Sequence, residues 1–387
     1  MTGSLPALLV LSPSADMYGS DRALLGLLDE LRERYDVTIV SAVDGPMLAE
    51  ARRRGASVVV SPDWALRRRF FTPTGIVPAL WRIARTLVLI RRLHRERRFV
   101  MTYANTVANT LLPFLPLALR APLVVHVREV PRTGARLNGI FFGQISRVAT
   151  ALLCNSTFTA SFVSDLEPRL ADRLRVVHDG VDPVDVPGAA SGPAPHDGPL
   201  EIVCVGRIHP QKGQQVMIEA LASATAAGHD WRVHFWGDAL PEHAHLLAGL
   251  EDEVRRNGLA DRVVWHGYGG DAASMYGGMD VAVVPSTWPE GFSLVTAEAQ
   301  AAGLPAVATG PGGPSDIIDD GVTGRIVPFD DAAAVVAALT ELEAPGVRAA
   351  WGAAGHRRFL EHFTTQRSAT AVCDALVGLS GPVSRSA

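Results

Sequence analysis

The stretch PSTWPEGFSLVTAEAQAAG, residues 285–303, decides how the rest of the chain is read. Before it runs Asp280–Val284, DVAVV, whose apolar residues are β-branched and unbroken rather than alternating. That is the pattern of a strand buried on both faces of a parallel sheet. Pro285 ends the strand, and a loop holding Trp288, Pro289, Glu290 and Gly291 leads into strong helix formers, Leu294–Ala302, stopped by Gly303 and Pro305. Glu290 therefore sits at the C-terminal end of a strand, and Glu298 follows eight residues later on the helix. Between them the backbone amides of Phe292, Ser293 and Leu294 are expected to be the unpaired donors of a helix N-terminus, which favours an anion such as a phosphate. A sugar, its phosphate and a ribose could be met in that order. The plainer alternative is a loop charge and a solvated helix residue, and two glutamates alone do not decide between them.

The flanking residues carry more. Glu290 and Glu298, with seven residues between them and an Ala-Ala-Gly-Leu-Pro tail at 301–305, resemble the E-x7-E segment of the retaining, two-domain (GT-B) glycosyltransferases of family 4, glycosyl transferases group 1. The resemblance implies an α/β chain with two Rossmann-like doubly wound domains facing across a cleft. It also implies transfer of a sugar from a nucleotide diphosphate sugar, most commonly a UDP-sugar, with retention of configuration. The expected boundaries are an acceptor-binding domain over 1–185, a linker over 186–199, a donor-binding domain over 200–365, and a last helix and tail over 366–387 returning to the first domain.

Composition fits this reading. A chain of 387 residues is too long for one ordinary core and suits two domains. A net charge of -4 gives no global case for nucleic acid. Cys154, Cys204 and Cys373 are far apart with no C-x-x-C pair, so neither a zinc site nor a disulfide framework is suggested and a reducing cytosol fits. Met1–Leu11 reads as a first strand rather than a signal peptide. No uninterrupted apolar run approaches the roughly 20 residues of a spanning helix. A cytoplasmic protein, peripheral at the inner face of the membrane, is expected. Among 36 basic residues Lys212 is the only lysine; its retention suggests that a compact ammonium is needed there instead of a planar fork.

In chain order, LPALLVL (5–11) reads as a buried strand, with Gly19 before a helix N-terminus that could let an acceptor or a donor phosphate approach the backbone. No G-x-G-x-x-G follows, which argues against a dehydrogenase. Residues 67–98 carry ten arginines against one acid, Glu96, for a local charge of +9, interleaved with apolar residues such as Phe70, Phe71, Leu80 and Trp81. Such a helix reads either as a contact with anionic membrane or as a packed helix with a solvated cationic face. The first suits a lipid-linked acceptor. Val100–Ala104 and Asn105–Leu119 read as a strand and a helix. In LVVHVREVP (123–131) a lone histidine reads as a satisfied core residue, but the resemblance gives His126 a place facing the sugar. Arg128 and Glu129 then either touch the acceptor or pair with each other. PGAASGPAPHDGP (187–199) has linker composition.

GRIHPQKG (206–213) offers Gly206 for close backbone approach, with Arg207 and Lys212 as fork and point charge for one diphosphate. The resemblance assigns both cations to that diphosphate and seats the nucleobase near Gly267 and Tyr268, at the exit of RVVWHG (262–267). It gives Glu298 the ribose hydroxyls and Glu290 the sugar hydroxyls, with Gly291 and the 292–294 amides beside the phosphates. It implies front-face attack, so Glu290 is not a nucleophile. No D-x-D element ends a strand, and no metal or other cofactor is expected. A sugar phosphorylase or nucleotide-sugar epimerase on the same fold, transfer to a soluble secondary metabolite, and a non-catalytic nucleotide-sugar binder are the rival readings.

Overall fold

The computed structural model describes residues 5–61, 64–65, 73–131 and 134–379. The chain divides into two compact units, Met1–Gly180 with Thr365–Ala387, and Val181–Thr364. Unit 1 runs β1 (Ala7–Ser12), α1 (Gly19–Arg34), β2 (Asp36–Ser41), α2 (Pro46–Arg53), β3 (Ser57–Val60), α3 (Pro73–Arg97), β4 (Met101–Ala104), β5 (Leu123–Val127), α4 (Ala135–Val148), β6 (Ala151–Cys154), α5 (Thr157–Leu166) and β7 (Leu174–Val176). Its strands pair in parallel in the order β3-β2-β1-β4-β5-β6-β7. Every residue of β1 is buried, Leu9 and Leu11 in the core beneath α3 and α4, Leu8 and Val10 in the core beneath α1 and α2. Burial on both faces is why the strand reads as a continuous apolar run.

Unit 2 repeats the plan with β8 (Leu200–Val205), α6 (Gln214–Ala226), β9 (Trp231–Trp236), α7 (Ala244–Arg256), β10 (Val263–Gly267), α8 (Ala272–Tyr276), β11 (Val281–Val284), α9 (Leu294–Ala301), β12 (Ala306–Thr309), α10 (Pro314–Ile317), β13 (Gly324–Val327), α11 (Ala332–Glu341) and α12 (Pro345–His362). The order is β10-β9-β8-β11-β12-β13, again all parallel. In each sheet the winding reverses once, between β1 and β4 and between β8 and β11. Ligands of such sheets collect outside the C-terminal strand ends at that reversal. The expected fold class, two Rossmann-like doubly wound units, is what the chain forms.

The last helix, α13 (Thr365–Leu379), belongs to unit 1. Its Val372, Cys373 and Leu376 are buried with Leu24 and Leu28 of α1, and Arg34 meets Asp374 at 2.8 Å. Burying Val372 and Leu376 stabilises this docking by about 1.5–3 kcal/mol each, far more than the exposed ion pair.

Two segments differ from the sequence reading. The helix expected over Asn105–Leu119 reduces to a 3-10 turn, Leu112–Leu117. Pro113 and Pro116 remove donors an α-helix needs, and Asn109 Oδ1 takes the Leu111 amide at 2.9 Å, holding the chain in a loop. Residues 186–199, linker-like in composition, pack within unit 2. A Cβ on Gly192 would lie 2.3 Å from the Ala349 carbonyl oxygen of α12, and one on Gly303 only 2.1 Å from that of Ala189. The unit boundary therefore falls at Gly180/Val181. The three cysteines are buried and unbonded. Arg67, Arg68, Arg69, Phe70 and Phe71 of the basic segment lie outside the described residues.

Candidate functional site

At the reversal of unit 2, the loops after β8 and β11 touch. Gly213 has φ 68°, and a Cβ there would sit 1.8 Å from the Pro285 carbonyl oxygen, so only glycine allows the approach. Thr287 ties the loops, donating its amide to Gln211 O at 3.0 Å and its hydroxyl to Pro210 O at 3.1 Å. His209 Nδ1 accepts the Gln211 amide at 3.1 Å, and Gln214 Nε2 donates to Arg207 O at 3.0 Å. Thus fixed, Lys212 donates from Nζ to Glu290 Oε1 at 2.7 Å, and the Ser286 hydroxyl reaches the same oxygen at 2.6 Å. The Lys212 stem runs 3.6 Å from where a Gly206 Cβ would be. Arg207 is exposed on the same loop, five residues before Lys212.

The pair is asymmetric. The Glu290 side chain is 9% exposed and that of Lys212 33%. Burial, the largest influence, pushes the Glu290 carboxyl up; the Lys212 ammonium and the Ser286 and Ser293 hydroxyls together outweigh it and hold it below the ordinary glutamate range. Glu290 stays ionised, and an ammonium has three donors, so Lys212 keeps donors for a second anion on its open side.

The first turn of α9 lies next to this pair in sequence. Ser293 adopts φ 95°, and its hydroxyl caps the Thr296 amide at 3.4 Å. Helix geometry begins at Leu294, so the first intrahelical orphans are the amides from Leu294 onward. Phe292, whose backbone amide is expected in the anion cradle, buries its ring with Ile317, Phe359 and Phe363. The GPGG loop, 310–313, closes over the turn: Gly313 donates its amide to Glu290 O at 2.8 Å, and a Cβ on Gly313 would lie 2.5 Å from Gly291 O. Glu298 is buried, and the Tyr276 hydroxyl donates to its Oε2 at 3.1 Å. Further along the same sheet end, Gly267 has φ 70° and its carbonyl accepts the Gly237 amide at 2.8 Å; Tyr268 is 84% exposed. The predicted donor residues thus lie beyond the C-terminal ends of three strands of one sheet, β8, β10 and β11. Ser286 and Tyr276, which hold the two glutamates, were missed; neither is marked by spacing from its partner.

Unit 1 treats its polar residues differently. Arg128 is buried, donating from Nε to Asn105 O at 3.1 Å, from Nη2 to the Tyr103 hydroxyl at 3.2 Å and from Nη1 to Asp179. Asn155 Nδ2 closes the network on Asp179 Oδ2 at 3.1 Å. His126 is wholly buried, its Nδ1 2.7 Å from the Tyr103 hydroxyl and its Nε2 without a partner of hydrogen-bond geometry. Burial first, then the Arg128 guanidinium, pushes the imidazole well below its ordinary 6.5, the Val177 main chain working the other way. Arg128 and Glu129 do not pair with each other. Glu129 takes the Thr106 hydroxyl and the Ala108 amide, and burial pushes its carboxyl up against those bonds. Gly19 opens α1 and is exposed. Among the described residues no group of three or more His, Cys, Asp or Glu is arranged to hold a metal ion. A shallow recess lined by Arg32, Tyr35, Asp36 and Gly55 lies where β2 begins, away from the ligand end of the sheet.

Two doubly wound parallel sheets of this kind are the GT-B architecture. The chain superposes with a TM-score of 0.80 on the crystal structure of Anabaena HepE in complex with UDP, at 20% identity, covering 96% of this chain and 100% of that one. Residues 199–344 match the family model described as glycosyl transferases group 1, so unit 2 carries a domain of that family. The lipopolysaccharide core biosynthesis mannosyltransferase LpsB of Rhizobium meliloti is 33% identical over 172 residues, 44% of this chain and 49% of LpsB. The D-inositol 3-phosphate glycosyltransferase of Kribbella flavida is 32% identical over 253 residues, 58% of this chain and 55% of that protein. The chain spans about half the length of these curated relatives.

Proposed function

We propose that the protein transfers a sugar from a nucleotide diphosphate sugar, a UDP-sugar in this reading, to an acceptor hydroxyl with retention of configuration. The observation that carries it is the half-open Lys212–Glu290 pair at the reversal of the unit 2 sheet. The leaving diphosphate gains negative charge as the glycosidic bond breaks, so cations and oriented amides aimed at it stabilise the transition state more than the ground state. Lys212 and Arg207, with the first amides of α9, supply them without a metal. Glu290, held ionised, takes sugar hydroxyls, Glu298 the ribose, and the Gly267–Tyr268 turn the base. His126 keeps the sugar-facing role implied by the resemblance. Gly19 and Glu129 remain on the acceptor side, whereas Arg128 supports the fold around them.

The acceptor is read as a glycan or glycolipid intermediate, which the lipopolysaccharide relative supports, and the protein as cytoplasmic and peripheral at an anionic membrane face. Among the described residues no helix is long and apolar enough to cross a membrane. Incubation with a panel of nucleotide sugars tests the reading: UDP release that requires an acceptor, with product of unchanged anomeric configuration by proton NMR, is expected. Release from a UDP-sugar with phosphate as the only acceptor would favour a phosphorylase.

A further inference from the structure

Helix α3 is apolar on two sides. Ala79, Ile83, Thr86 and Ile90 face the core of unit 1, as a helix over a sheet requires. The opposite stripe carries Val77, Trp81 and Val88, all exposed, Val77 by 69%, with exposed Leu80 on its flank. The 3-10 turn Leu112–Leu117 and α4 pack on the same sheet face, sending Leu112, Leu115, Phe142 and Ile145 into the core that also holds Ile83 and Ile90. Their outer sides therefore look the same way as that of α3, and they too are apolar: Leu117 is 71% exposed and Ile140 57%. Large exposed apolar groups on three adjoining elements make a patch rather than scattered residues.

Charge qualifies what could cover it. Arg85 lies over the Trp81 ring at 4.5 Å, and the stripe continues as Arg91, Arg92 and Arg95, with Glu96 the one carboxylate in this helix, paired to Arg92 at 3.1 Å. Both α3 and α4 start at strand C-termini and run back antiparallel to the strands. Their N-terminal halves, which carry Trp81 and Ile140, thus lie toward the ligand end of the sheet, and the arginines of α3 toward the other.

We propose that this three-element face docks on an anionic bilayer, with Trp81, Leu117 and Ile140 entering the headgroup–acyl boundary and the arginines of α3 on lipid phosphates. Indole rings suit that boundary, and basic side chains beside a buried apolar stripe give reversible, salt-sensitive attachment. The inference deepens the lipid-linked acceptor reading and rests on it for its purpose, but the surface itself does not depend on the transfer chemistry. Docking there would bring the ligand end of unit 1 to the lipid surface.

The test is sedimentation of the full chain with vesicles of phosphatidylcholine alone or mixed with phosphatidylglycerol. Binding at least about tenfold stronger to the anionic vesicles, and lost as salt shortens the Debye length from about 10 Å toward 3 Å, is expected. Val77→Ser with Trp81→Ser, Leu117→Ser with Ile140→Ser, and Arg91→Glu with Arg95→Glu should each weaken it about tenfold with circular dichroism unchanged. Equal binding to neutral vesicles, no binding at low salt, variants that bind like the parent, or a dimer in light scattering that the serine variants dissolve would each overturn the proposal. Lys212→Ala should bind vesicles like the parent, so failure of the transfer reading and failure of this one are told apart.

Discussion

The two sheets reverse at equivalent places, yet their charges are set in opposite ways. In unit 2 a buried carboxylate holds an ammonium whose side chain stays one-third open. In unit 1 the Arg128–Asp179 pair is sealed, with side-chain exposures of 3% and 7%, and most of the donors of Arg128 are used on Asn105, Tyr103 and Asp179. The lesson is that burial of both partners marks a charge pair that serves the fold, whereas burial of one and exposure of the other leaves charge to offer a ligand.

The largest expected effect is on the sealed pair. Arg128→Ala strands Asp179 and should cost about 3–5 kcal/mol of stability, read as a lowered midpoint in urea unfolding. A variant of near-normal stability that loses only activity would break the contrast. On the open side, Lys212→Ala should lower kcat by about 10²–10³-fold, the size of losing one oriented donor to a developing anion. Because the ammonium is partly solvated, its stability cost should stay under about 1 kcal/mol, and Lys212→Arg should restore activity only in part, since a planar fork replaces a point charge.

Titration sharpens the same comparison. His126 stays neutral in the fold well below its ordinary 6.5, so the unfolded chain binds the extra proton, and stability present above pH 6.5 is lost as pH falls below it. The slope is at most about 1.4 kcal/mol per pH unit, and His126→Gln should remove that limb from urea unfolding followed against pH. Glu290 is also depressed, from 4.5. Its contribution is complete above 4.5 and vanishes only as pH falls through the folded value, so Glu290→Gln should leave the pH 5–7 region unchanged in slope. The smallest effect is expected of Tyr276→Phe. Removing one hydroxyl from Glu298 should raise KM for the donor about threefold to tenfold, the worth of one hydrogen bond of about 0.5–1.5 kcal/mol, with kcat little altered.

What could be seen in the residues follows from how local the cause is. The strand at 281–284, the helix after Glu290 and the βα series at 200–226 were legible because unbroken β-branched runs, helix formers and Gly/Pro stops act over neighbouring residues. The loop at 105–119 was not, because two prolines and the side chain of Asn109 compete with a pattern that is otherwise helical. The packing of 186–199 was hidden for a different reason: a Pro/Gly/Ala segment has no periodicity, yet its small residues let its backbone approach Ala349 and Gly303 closely. Within the site, Lys212 and Glu290 were singled out from composition and resemblance, and the structure joins them across 78 residues. Ser286 and Tyr276 were invisible because their importance is a contact made by tertiary packing. The pairing of Arg128 with Asp179, 51 residues away, was likewise beyond reach, the adjacent Glu129 being only one of the alternatives the residues left open.

The central claim is that Lys212 serves a diphosphate. Isothermal titration of UDP and of uridine into the parent protein and Lys212→Ala tests it most directly. UDP affinity should fall at least about tenfold in the variant, about 1.4 kcal/mol, while uridine affinity stays the same. Equal UDP affinity in the two proteins would contradict the account.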